Sequence, residues 1–156
     1  MKFTLLWVED DADDVLLGER ALIKAGFTNP MIVRDGDQAV SYLTGEGEFA
    51  DRVRFPMPSL VLLDLKLPRR SGFEIVKWMR EQEGLRRIPV VILTSSQERH
   101  DIARAYDHGA NAYLVKPVET RRFAEVIRGL HQFWVTLNWT PDAAPQPSKA
   151  TSAIGE

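Results

Sequence analysis

Five short apolar runs alternate with longer stretches of helical spacing, and that alternation leaves very few architectures open. FTLLWV (3–8), MIVR (31–34), SLVLLDL (59–65), PVVILT (89–94) and NAYLV (111–115) have strand length and end at charged, hydroxyl or turn residues. Between and after them, residues 15–26, 36–43, 72–82, 98–108 and 119–138 carry apolar side chains three and four apart. Val15, Leu16, Ala21, Leu22 and Ala25 mark one face of the first helix, which stops at Gly26. Ala39, Val40 and Leu43 mark the second, and Phe73, Ile75, Val76 and Met79 the third. Residues 44–58 hold Gly45, Gly47, Pro56 and Pro58 and read as a long loop.

Strands that are apolar throughout belong to a parallel sheet covered on both faces. Right-handed crossovers then predict an α/β, doubly wound, five-stranded sheet of order 2-1-3-4-5, the flavodoxin-like (βα)5 arrangement. The 156 residues suit one domain, placed at 1–139. The stretch 140–156, rich in Pro, Ala and Ser, is expected to be a disordered tail.

The net charge is −2, so no basic surface argues for nucleic acid. There is no cysteine, which excludes disulfides and thiolate metal sites and fits a reducing, cytoplasmic setting. His100, His108 and His131 lack zinc-ligand spacing and read as surface residues. No run of about 18 apolar residues suggests a membrane span, and the first residues do not form a signal peptide.

In an open parallel sheet, sites form at the carboxyl ends of the strands. The first strand ends in Glu9 and Asp10, the third in Asp64, the fourth in Thr94 and the fifth in Lys116. Carboxylates about 4 Å apart repel by about 4 kcal/mol per pair at an effective dielectric near 20, so the set needs a proton or a cation. Magnesium suits it, since that ion accepts one or two carboxylates together with a phosphate. Asp64 can then act as nucleophile toward a phosphoryl group, with Lys116 and Thr94 binding its oxygens. Each residue alone has a plainer reading. The acidic run 9–14 makes a helix start, with Asp13 and Asp14 in that part; Asp64 is a turn residue, Thr94 a cap and Lys116 a surface lysine. Four strand ends supplying a complementary set outweigh those readings.

VEDD (8–11), LVLLDLKLPRRSG (60–72), VVILTSS (90–96) and AYLVKP (112–117) resemble the receiver domains of two-component response regulators, over roughly residues 3–135. The resemblance implies that Glu9, Asp10, Asp64 and the Lys66 carbonyl hold magnesium and that Asp64 is the phosphoacceptor. It further implies that Thr94 and Lys116 bind the phosphoryl group, that the Lys116–Pro117 peptide is cis, and that Tyr113 is a switch aromatic coupled to Thr94. The EGEF loop (46–49), RRIPVVILTSS (86–96) and HQFW (131–134) resemble single-domain regulators paired with bacterial phytochromes and related sensor histidine kinases. The donor that this implies is a phosphohistidine of such a kinase. The Lys66 side chain is expected to point outward, and Trp7 to be a packed core residue.

No further domain follows in these residues, so the expected output is a surface. Phe123, Val126, Ile127 and Leu130 should pack on the sheet, whereas Phe133, Trp134, Leu137 and Trp139 run past it and predict a homodimer interface. The kinase is expected near Leu16 and Leu17, with Arg69, Arg70 and Pro117 at the rim. A degenerate receiver that only binds partners is the alternative. A haloacid-dehalogenase-like phosphatase would need an acid where Lys66 stands. An FMN protein would need a hydroxyl-rich loop where EDDADD stands.

Overall fold

The computed structural model describes residues 2–141 of the chain. Its strands are β1 (Leu5–Val8), β2 (Met31–Val33), β3 (Leu60–Leu63), β4 (Val90–Thr94) and β5 (Ala112–Val115). Its helices are α1 (Ala12–Ala25), α2 (Gly36–Thr44), α3 (Gly72–Glu81), α4 (Arg99–Asp107) and α5 (Thr120–His131). All strand pairs are parallel, in the order β2-β1-β3-β4-β5. The tail expected to be disordered lies, from residue 142, outside the described residues. Among the described residues no helix is long and apolar enough to cross a membrane.

The central strands are buried on both faces, which is why they read as unbroken apolar runs. Alternate residues divide between two cores. Leu6, Val8, Val61, Leu63, Val90 and Ile92 face a core shared with α2, α3 and α4. Leu5, Trp7, Leu60, Leu62, Val91 and Leu93 face one shared with α1 and α5.

Local chemistry sets the helix ends. Asp11, Asp35 and Ser71 cap α1, α2 and α3, each accepting the backbone amide three residues on. Gly26 and Gly45 close α1 and α2 in the left-handed region. Arg80, at the end of α3, donates to the carbonyls of Gly109, Arg86 and Ile88 and to Asn111 Oδ1, at 2.8–2.9 Å. Burial lowers its pKa, and these acceptors surround the cation that remains.

Two local expectations change. The last helix does not run regularly to residue 138: it becomes π-helical over Gln132–Leu137, and the wider turn brings both Trp134 and Val135 against the second core. Of the histidines, His100 is exposed, but His108 and His131 are half-buried, their rings edge-on to Phe73 and Phe27.

Trp7 is fully buried, and space for it comes from Gly18 of α1. A Cβ at residue 18 would lie 2.2 Å from Trp7 Cη2. Alanine normally gains about 0.5–1 kcal/mol over glycine within a helix. Here Gly18→Ala is expected instead to destabilise by about 1–3 kcal/mol through overpacking. Urea unfolding should show a smaller cost in a Trp7→Phe background; equal costs in both backgrounds would defeat this account.

Candidate functional site

The carboxyl ends of β1, β3, β4 and β5 open onto one rim. Register places Asp64 there: Val8 pairs with Leu63, and the Asp64 amide donates to the Val8 carbonyl at 3.2 Å. The Glu9 amide donates to Val33 at 3.0 Å, and the Lys116 amide to Thr94 at 2.7 Å. The start of α3 presses against the same point. A Cβ at Gly72 would lie 2.2 Å from the Asp64 carbonyl oxygen, so only glycine allows that approach.

Oxygens of Glu9, Asp10 and Asp64 all lie within 4.8 Å of one another. Opposite ligands of an octahedral magnesium ion are about 4 Å apart, so small side-chain rotations let all three share one ion. Glu9 and Asp64 are buried and Asp10 is exposed, which leaves an open side toward solvent.

Lys116 supplies the positive charge. Its ammonium lies 3.0 Å from Asp64 Oδ2, 3.0 Å from Asp14 Oδ2 and in contact with Glu9 Oε1. Three carboxylates thus meet one ammonium, and Asp10 adds a fourth negative charge beside Glu9 and Asp64, an excess that favours a cation. Burial, with repulsion from Asp64, pushes the Glu9 carboxyl up to about 7 against the pull of Lys116. Burial also opposes the charge of Lys116, but the hydrogen bond to Glu9 and the charges of Asp64 and Glu9 outweigh it and raise its pKa.

Thr94 is fully buried, and its hydroxyl finds no hydrogen-bond partner among the described residues. A hydroxyl in that position costs about 1–3 kcal/mol until an acceptor reaches it. Tyr113, within the neighbouring strand β5, is half-buried, and its hydroxyl donates to the Ser96 carbonyl at 3.0 Å. Burial raises the Tyr113 pKa. Lys66 is exposed, and its amide lies 3.4 Å from Asp64 Oδ1.

One sequence expectation is corrected and another is extended. The Lys116–Pro117 peptide is trans; among the described residues no peptide bond is cis. Trans is favoured by about 0.5–1 kcal/mol before proline, and Lys116 reaches all three carboxylates through it. Asp14 is more than a helix-start acid: its amide is capped by Asp11, while its carboxylate turns to Lys116.

Residues 5–128 match the response regulator receiver domain family. The chain belongs to that family. This receiver is 33% identical over 140 residues to the response regulator Rcp1 of Synechocystis, covering 89% of the receiver and 93% of Rcp1. The crystal structure of the Mn(2+)-bound form of Rcp1 superposes with a TM-score of 0.78 at 31% identity, covering 89% and 99% of the two chains. The phosphorylated cyanobacterial phytochrome response regulator RcpA gives 0.84 at 33% identity, covering 91% and 100%. The bacteriophytochrome response regulator RtBRR gives 0.69 at 40% identity, covering 99% and 90%. The receiver's relatives thus include phytochrome response regulators, RcpA and RtBRR among them.

Glu9 gives up its proton less readily in the folded receiver than in the unfolded chain, so ionising it works against folding. In metal-free protein its contribution is complete below about pH 4.5 and is lost as pH rises through about 7. Chemical denaturation across that window should show the decline, and Glu9→Gln should flatten it. An unchanged slope in Glu9→Gln would refute the assignment.

Proposed function

We propose that the receiver accepts a phosphoryl group on Asp64 in a magnesium-dependent reaction. The observation that carries this reading is the Asp64 carboxylate itself, hydrogen-bonded to Lys116 and grouped with Glu9 and Asp10. Glu9, Asp10 and Asp64, with the Lys66 carbonyl, would hold the ion. Bound magnesium neutralises charge on the phosphoryl oxygens. In the step itself, the N–P bond of a phosphohistidine breaks as an Asp64 oxygen bonds to phosphorus, leaving an acyl phosphate and a free imidazole. Lys116 pairs with one phosphoryl oxygen, and the buried Thr94 hydroxyl donates to another. Movement of Thr94 toward the phosphate frees space for Tyr113 to turn inward, carrying the change to the surface beyond β5.

The donor is a sensor histidine kinase of the bacterial phytochrome class. Support comes from the phytochrome named in the descriptions of RcpA and RtBRR, which concern those proteins. Leu16 and Leu17 are exposed on α1, and Leu17 lines a crevice with Asp14, Pro117 and Val118 beside the site, which suits docking of the donor.

The output surface is a homodimer contact. Phe133, Leu137 and Trp139 are 49%, 58% and 51% exposed on and after the π-helical extension, while Trp134 lies inward at its base. Large apolar side chains grouped in this way favour a protein partner.

With acetyl phosphate and magnesium, the chain is expected to take a base-labile phosphoryl group. Asp64→Asn or a chelator should abolish the label. Label retained in Asp64→Asn would overturn the assignment, and no label in wild type would favour a receiver that only binds partners. For the dimer, Leu137→Glu is expected to weaken self-association by about tenfold or more. Sedimentation velocity over a concentration series checks this, and a wild-type chain that stays monomeric with beryllofluoride present would end the dimer reading.

A further inference from the structure

Lys116 meets three carboxylates, and they are not equivalent. Glu9 and Asp64 belong to the cluster able to share a cation; Asp14 does not. A cation that draws Glu9 and Asp64 toward itself leaves Asp14 as the carboxylate still facing the ammonium. Asp14 Oδ2 lies 3.0 Å from Lys116 Nζ, across 102 residues of sequence. The Lys116 side chain is 10% exposed and that of Asp14 38%, so the contact is only partly screened by water.

We propose that Asp14 is a positioning residue that restrains the hold of Lys116 on the phosphoryl group, an inference that rests on Asp64 being the phosphoacceptor. The charge argument is direct. A phosphoryl group and Asp14 are both anions, and both seek the same ammonium. Asp14 therefore competes for Lys116 and also repels the arriving oxygens, while its charge assists the incoming cation. Removing that charge should act in opposite senses on the two ligands: anion binding strengthens and cation binding weakens. A residue serving only to start α1 would produce no such split. The helix keeps its Asp11 cap and the first-turn charge of Asp13 in any case.

Asp13 supplies the control, since it is exposed in the same first turn and differs from Asp14 in lacking the Lys116 contact. The probes are magnesium alone and beryllofluoride at saturating magnesium, both followed by calorimetry. Asp14→Asn is expected to bind beryllofluoride about three- to tenfold more tightly than wild type and to bind magnesium alone more weakly, the size expected for one partly screened charge. Asp13→Asn should leave both affinities within about twofold. Asp14→Glu, which keeps the charge, should return both toward wild type. If wild type binds beryllofluoride but Asp14→Asn matches Asp13→Asn, or binds it more weakly, this inference fails and the phosphoacceptor reading stands. If wild type shows no magnesium-dependent binding of beryllofluoride, that reading fails and takes the inference with it.

Discussion

The ammonium of Lys116 is the charge around which the rim is organised. Its contacts are contributed by the end of β1, the first turn of α1 and the end of β3, and its own backbone is tied to β4 through Thr94. Without a counter-charge, buried Glu9 and Asp64 would repel across a few ångströms in a poorly solvated place. Lys116 answers part of that repulsion, and Glu9 answers more of it by holding its proton toward neutral pH. The protein therefore carries an unbalanced charge at the rim whenever Glu9 is ionised. The metal-dependent reaction proposed for Asp64 would use that property, because folding leaves the imbalance for a ligand to complete.

The sheet makes the arrangement possible. Four of the five strands contribute at their carboxyl ends because every connection returns the chain to the same edge. The two cores on either side are filled by alternate residues of the same strands, so a one-residue slip would exchange the cores and carry Asp64 off the rim. Gly72 fixes the height of α3 against Asp64, and Gly18 fixes the distance of α1 from Trp7.

The sheet order was legible because β1, β3 and β4 are apolar throughout, a pattern that few folds share. The rim residues were legible because each directly follows a strand. Asp14 was hidden by its company: within EDDADD, nothing local separates a carboxylate that caps a helix from one that crosses to another strand. The proline after Lys116 pointed to a cis bond by resemblance, whereas the trans bond already satisfies the lysine. The π-helical turn after His131 was not legible either. It accompanies the packing of Trp134 and Val135 against the second core, a tertiary contact with no signature in spacing.

Arg80 has a bearing on how this scaffold tolerates change in length. Its guanidinium gathers the carbonyls of Arg86, Ile88 and Gly109 and the side chain of Asn111, which in turn accepts from the Val90 amide. The link after α3 and the turn after α4 are thereby buttoned to one cation. An extra residue in either would pull a carbonyl out of the fork, so these two connections form a closed seam. Grafts, permuted termini and added loops belong away from that seam and from the carboxyl rim alike.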